Sequence, residues 1–137
     1  MKKELIRRSL ESFVQNLNES QSWRFNDALK NELTNILENG SIYLCVVELM
    51  KDQQKAERTL YEDRTRMLVN FQGDPELEQK LLNCDSKIVE AVDELVERQQ
   101  AVLRGKNVPS FRVTKNTHEI QLQMLIIEFI LQLDCFP

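Results

Sequence analysis

The middle of the chain is almost free of the residues that interrupt helices. Between Ser41 and Arg104 the only glycine is Gly73 and the only proline is Pro75, two residues further on. Glycine is common just past a helix end, and proline fits the first turn of the helix that follows. The sequence therefore predicts two long helices joined by a short turn, which fold back on each other as an antiparallel hairpin.

Both predicted helices carry an apolar stripe with the spacing of a coiled coil, because its members recur in steps of three and four residues. The first stripe is interrupted by Gln53 and Asp63 and the second by Arg98, and we expect these polar positions to set the register of the pair. The second stripe is the more regular. It consists of Leu81, Cys84, Ile88, Ala91, Leu95, Arg98 and Val102, widened by Val89, Val92, Val96 and Leu103.

A shorter helical hairpin precedes this pair. Residues 3–18 show one apolar helical face, and a second amphipathic helix is predicted over 22–38 after a polar interruption. Ser22 is its predicted N-cap, since a hydroxyl can accept from a free amide of the first turn. Trp23 and Phe25 lie at its start, where two interpretations stay open: a core position at the corner of the hairpin, or an interface hot spot.

The last segment is apolar on almost every side. Its predicted helix runs from Asn116 to Cys135, and Glu119 three residues after Asn116 forms a capping-box pattern. Alternation over 120–124 leaves a strand possible there, but the length and the absence of breakers favour a helix. Such a helix must be buried on all sides, either by helices of its own chain or by partner subunits.

Composition excludes several functions. The net charge is −4 with a pI near 5.1 and without a basic stripe, which disfavours nucleic acid as a partner. No apolar run is long enough for a membrane span, and the N-terminus does not resemble a signal peptide. Cys45, Cys84 and Cys135 are odd in number and far apart, as expected of reduced cysteines in an intracellular protein, nuclear or cytoplasmic.

No catalytic constellation is evident either. The single histidine, His118, lies in the predicted capping turn, where a surface or capping role is favoured over that of a general base. The acidic group Glu90, Asp93, Glu94 and Glu97 could coordinate a divalent ion, but nearby Lys and Arg residues favour a solvated helix face. We therefore expect no enzyme, no cofactor and no metal.

Several short stretches resemble subunits of the MIND kinetochore complex, a four-subunit helical rod. They are residues 13–17 (FVQNL), 23–25 (WRF), 38–41 (ENGS), 84–88 (CDSKI) and 93–96 (DELV), followed by Pro109. The resemblance implies a scaffold without catalysis at the centromere of dividing cells, which holds its neighbours through heptad seams.

The sequence as a whole predicts an all-α interaction protein that assembles with other helical subunits as a hetero-oligomer. It is predicted as one domain with a head hairpin (1–40), a long coiled-coil-like hairpin (41–104), a linker (105–115) and an apolar C-terminal helix (116–137). The predicted contact residues are Trp23, Phe25, Leu81, Ile88, Leu95, Leu122, Leu125, Ile126, Phe129, Ile130 and Leu133. The alternative is a self-contained helical bundle that binds a partner helix in a surface groove.

Overall fold

A computed structural model of the chain describes residues 2–133, and all its regular elements are helices. They are α1 (Lys3–Gln15), α2 (Glu19–Ser22), α3 (Asp27–Leu37), α4 (Gly40–Asn70), α5 (Leu77–Gly105) and α6 (Thr117–Leu131). No strand occurs within this range, so the predicted all-α fold is confirmed and the strand alternative for 120–124 is wrong. The predicted end of the last helix at Cys135 lies outside the described residues.

Asparagine side chains, rather than Ser22, begin the short N-terminal helices. Asn18 caps α2, and the side-chain oxygen of Asn26 accepts from the amide of Leu29 in the first turn of α3. Ser22 is the last residue of α2, so the predicted cap and the single helix over 22–38 are wrong. Asn is as strong an N-cap residue as Ser, and the side chain of each asparagine accepts from an amide of the turn that follows it.

The turn between α4 and α5 forms where the sequence predicts it. Gly73 has a φ of 84°, and the Asp74 carboxylate accepts from the amide of Glu76. The Lys80 ammonium donates to the same carboxylate at 2.8 Å and lies 3.9 Å from the ring centre of Phe71. Local contacts therefore hold the turn that makes α4 and α5 antiparallel.

Gly73→Ala is expected to lower the free energy of unfolding by about 1 kcal/mol, because a Cβ disfavours a positive φ. The added carbon would meet no atom within 4 Å, so the cost comes from the backbone alone. Gly105→Ala is the matched control: its site is equally open, but it ends α5 without a positive φ. There alanine should be neutral or stabilise the helix. Urea unfolding compares the two, and equal effects would contradict this account.

Contacts between Cα atoms divide the chain into two compact units. Within the described residues, the core unit comprises residues 2–48 and 100–133, and the hairpin unit comprises residues 49–99. Since α4 and α5 each contribute to both, these units cut across the predicted segments. The prediction of a single domain over 1–137 stays a prediction.

The core unit contains all the buried apolar side chains of the described residues. Helices α1 and α3 pack against each other, with ion pairs from Lys3 to Glu38 and from Lys30 to Glu11 across the contact. The ring centre of Phe13 lies 6.2 Å from that of Phe25 and 5.4 Å from that of Phe129, which joins α1 to α6. The other members of this core are Ile6, Leu10, Leu29, Leu33, Leu37, Ile42, Val46, Leu103, Val108, Phe111, Ile126, Ile130 and Leu133.

Candidate protein-interaction surfaces

Five of the predicted contact residues are buried by the chain itself. Phe25, Ile126, Phe129, Ile130 and Leu133 are at most 3% exposed in the isolated chain. They form the centre of the core unit and are not available to a partner subunit. One face of α6 is thus enclosed by helices of its own chain. Met124 and Leu131 on the same helix are 63% and 39% exposed, so the prediction that this helix is buried on all sides is wrong.

Trp23 is exposed, not a core residue. It is 71% exposed, and Met124 on α6 is 63% exposed. Both line a groove of about 620 Å³, together with Leu125 and Glu128. Leu125 and Leu122 are half-buried, so of the predicted residues on α6 these two retain accessible surface.

Beside this groove, Arg24 connects the segment after α2 to the first turn of α6. Its guanidinium donates to the backbone carbonyl of His118 and lies 2.9 Å from the ring Nδ1 of the same residue. The guanidinium carbon also lies 5.6 Å from the ring centre of Trp23. The exposed His118, predicted to have a surface or capping role, holds Arg24 at the first turn of α6.

Two buried glutamines hold the linker between α5 and α6. Gln100 is 2% exposed and Gln123 is 3% exposed, and the Gln100 amide donates to the Gln123 side-chain oxygen at 2.9 Å. Gln100 also exchanges hydrogen bonds with the backbone of Thr114, and Gln123 donates to the carbonyls of Ser110 and Arg112. This network was not predicted from the sequence. The signal was present, since Gln123 precedes Ile126 and Ile130 in steps of three and four on the most apolar helix.

Glu119 binds the linker instead of completing the predicted capping box. Asn116 does cap α6 through the amide of Glu119, but the Glu119 carboxylate accepts from the Thr114 hydroxyl and from the Arg112 guanidinium. These two donors hold the pKa of Glu119 below its ordinary value of 4.5. The reciprocal bond of the capping box is replaced because the linker supplies a hydroxyl and a cation.

Acid is expected to weaken this attachment. A carboxylate whose folded pKa is lowered contributes stability above its unfolded pKa, and that contribution is lost as the pH falls through the folded value. Between neutral pH and values below 4.5 the wild-type chain should therefore lose more stability than Glu119→Gln. Urea unfolding midpoints over a pH series measure this difference. Identical pH profiles would show that Glu119 contributes nothing through its charge.

The predicted seam of the hairpin unit forms, but near the C-terminal end of α5 the residue that faces α4 is one position later than predicted. Leu81, Ile88 and Leu95 are half-buried along it, whereas Arg98 is exposed. Gln99 takes the place of Arg98 and donates to the Gln53 side chain at 2.7 Å. A straight α-helix drifts about 20° per heptad, so after two to three heptads the next residue faces the partner helix.

Arg64, and not the predicted Asp63, makes the second polar contact between α4 and α5. Asp63 is exposed, and the adjacent Arg64 donates through Nε to an Asp85 carboxylate oxygen at 2.7 Å. This hydrogen bond holds the pKa of Asp85 below its ordinary range. Of the three predicted interruptions only Gln53 lies in the seam.

One side of the hairpin unit is apolar and uncovered. Tyr61 and Leu68 precede and follow Arg64 by three and four residues, and Leu82 and Val89 do the same around Asp85. Residues at this spacing share a helix face, so all four lie on the side that carries the ion pair. They are 61%, 36%, 57% and 59% exposed, respectively. We call these four residues with Arg64 and Asp85 the hairpin face.

The hairpin unit also carries a groove along its seam. Its volume is about 390 Å³, and Leu60, Met67 and Ile88 are among its lining residues. Lys80, Lys87, Asp63 and Asn83 also line it. The hairpin face differs from this groove in its charges, because it carries one ion pair between its apolar residues, whereas the groove is lined by two lysines, an aspartate and an asparagine.

Residues 2–133 contain neither a candidate metal site nor a helix that could span a membrane. No group of three or more His, Cys, Asp or Glu side chains in this range could hold a metal ion, and the acidic residues 90–97 form no such group. None of the described helices combines the length and the apolar character that a membrane span requires.

The fold defines an all-helical protein with a compact core unit and a two-helix hairpin, and the comparisons then identify its family. The chain belongs to the DGCR6 family, which takes its name from the DiGeorge syndrome critical region 6 protein. The family model matches residues 75–135, which include α5, the linker and α6. The gonadal protein gdl of Drosophila melanogaster is 32% identical to this chain over an alignment of 146 residues, gaps included. The alignment covers 90% of this chain and 75% of that protein. No solved structure matches the chain.

These comparisons overturn the resemblance to the MIND kinetochore complex. The matching family and relative are of the DGCR6 type, and neither is a kinetochore subunit by name. The stretches that suggested the resemblance consist of seam and capping residues. Unrelated helical proteins share such residues because the physical requirements of seams and caps are the same.

Proposed function

We propose that this chain is a non-catalytic assembly protein whose hairpin face binds helices of another protein chain. One observation carries the proposal: among residues 49–99 no apolar side chain is buried, although both helices carry apolar stripes. The only buried residue of this unit is Gln99. The apolar seam residues of this unit are only partly buried, so further apolar surface can still be removed from water by a partner.

The size of the uncovered surface supports the same conclusion. Tyr61, Leu82 and Val89 each keep more than half of their surface accessible, and Leu68 keeps 36%. Burial of apolar area contributes roughly 25 cal/mol per Å², so covering these side chains with partner helices is a substantial driving force. Contiguous exposed apolar residues with polar ones around them are typical of interaction sites.

Affinity purification of three tagged chains tests the proposal. The chains are the wild type, Val89→Asp on the hairpin face and Val69→Asp, whose valine is 67% exposed. Val69 follows Leu68 by one residue and therefore points about 100° away from the face. We expect a partner protein to be recovered in near-equal amount with the wild type and with Val69→Asp. The same protein should be lost with Val89→Asp. A set of partners that does not respond to Val89→Asp would overturn the proposal.

The groove beside Trp23 favours a second candidate function, that of an adaptor which accepts a partner helix. Exposed Trp and Met side chains at a groove are suited to helix recognition. In this case Trp23→Ala abolishes partner recovery and Val89→Asp does not. Adding Trp23→Ala as a fourth tagged chain to the purification therefore separates the two candidates.

A further inference from the structure

We infer that the helices covering the hairpin face belong to a second copy of this chain, so that two hairpins form a four-helix bundle. This inference rests on the proposed function and names its partner. The arrangement of charged and apolar groups on the hairpin face is complementary to itself.

The hairpin face consists of three levels. Arg64 faces Asp85 at 2.7 Å and forms the middle level. Because both helices rise by the same distance per residue, Tyr61 lies at the height of Val89 and Leu68 at the height of Leu82. An apolar pair thus lies on each side of one ion pair.

Twofold symmetry allows two ways to place such faces together with the levels matched. With the Gly73 turns at the same end, α4 of one copy lies against α5 of the other, and each level meets its own equivalent. Arg64 then faces Asp85 of the second copy, so the four charges alternate in sign. With the turns at opposite ends α4 meets α4, and Arg64 faces the Arg64 of the second copy.

Charge complementarity selects the first arrangement. The Arg64 side chain is 34% exposed and that of Asp85 is 48% exposed, so both retain accessible surface after pairing within the chain. Like charges directly opposite each other oppose association, whereas an alternating set of four favours it. The inferred dimer therefore has both turns at one end and α4 packed against α5 of the second copy.

Sedimentation equilibrium of the purified full-length chain tests the dimer. The wild type and Val69→Asp should show twice the chain mass of 16.1 kDa. Val89→Asp places one carboxylate per copy in the interface and should weaken the dimer by more than about a hundredfold. Circular dichroism controls for folding. Because Val89 is 59% exposed in the isolated chain, its replacement should change the stability of the monomer little.

Arg64→Gln tests the arrangement of the two copies. With the turns at the same end the substitution removes two interchain ion pairs, and the dimer should weaken by up to about tenfold. With the turns at opposite ends it would relieve a repulsion and tighten the dimer. An equimolar mixture of Arg64→Asp and Asp85→Arg chains should associate better than either variant alone, because opposite charges then face each other again.

Three results overturn the inference: a wild-type mass of one chain, a dimer that Val89→Asp leaves intact, and a dimer tightened by Arg64→Gln. A monomeric wild type whose cellular partner is lost with Val89→Asp overturns the second copy but leaves the proposed function standing. A monomer whose partners do not respond to Val89→Asp overturns both.

Discussion

Replacing Ile126 with Asp is expected to abolish the cooperative unfolding of the core unit. Ile126 is fully buried in α6, beside the Phe129 and Ile130 core positions. An unpaired carboxylate at such a site loses its hydration without a compensating partner, and we expect a loss of more than about 4 kcal/mol. Because domains are stable by only about 5–15 kcal/mol, this loss is a large part of the total. Urea unfolding followed by circular dichroism measures it.

Leu125→Asp is the matched control. Leu125 is half-buried and lines the groove beside Trp23. Neighbouring residues of a helix point about 100° apart, so the new carboxylate can reach water. We expect a loss of about 1–2 kcal/mol. If the two variants unfolded at the same urea concentration, the orientation of α6 given above would be wrong.

Replacing Gln123 with Leu should destabilise the chain by about 3 kcal/mol. The substitution removes two donors to the carbonyls of Ser110 and Arg112 and one acceptor for the Gln100 amide. A buried polar group left without a partner costs about 1–3 kcal/mol. Leucine has no donor or acceptor, so the linker carbonyls and the Gln100 amide would all lose their hydrogen bonds to residue 123. Thermal unfolding and amide exchange of the linker both report on this loss.

Gln121→Leu is the control for this substitution. Gln121 lies on the same helix but is exposed, so its replacement should change the free energy of unfolding by no more than about 0.5 kcal/mol. Apolar substitution on α6 is then tolerated at one position and harmful two residues away. A Gln123→Leu chain as stable as Gln121→Leu would show that the linker is held by its apolar contacts at Val108 and Phe111 alone.

The ends of the long helices could be predicted from the sequence because local interactions decide them. Gly73 and Asp74 form the turn through their own backbone and the nearby Glu76 amide. Asn116 caps α6 through an amide three residues on. The N-terminal helices were harder, because Asn18, Ser22 and Asn26 compete as caps over a few residues, and their intrinsic preferences are nearly equal.

The candidate surfaces could be predicted only in part. Leu81, Ile88 and Leu95 lie in the seam as the heptad pattern indicates, but Arg98 does not. Trp23 was left open between core and interface, and only the packing shows it to be exposed. Val89 was included as a member that widens the stripe, and its position beside the Arg64–Asp85 pair depends on how the two helices face each other.

By itself, the amino-acid sequence determined that this protein is all-helical, that α4 and α5 fold back at Gly73, and that α6 is apolar on nearly every side. Spacing, capping residues and helix breakers act within a few residues, so these features can be predicted from the sequence. Only the tertiary structure decided that one face of α6 is buried by its own chain, that Gln100 and Gln123 hold the linker, and that one side of the hairpin stays uncovered. Those outcomes depend on contacts between residues far apart in the chain, whose relative orientation no local pattern specifies.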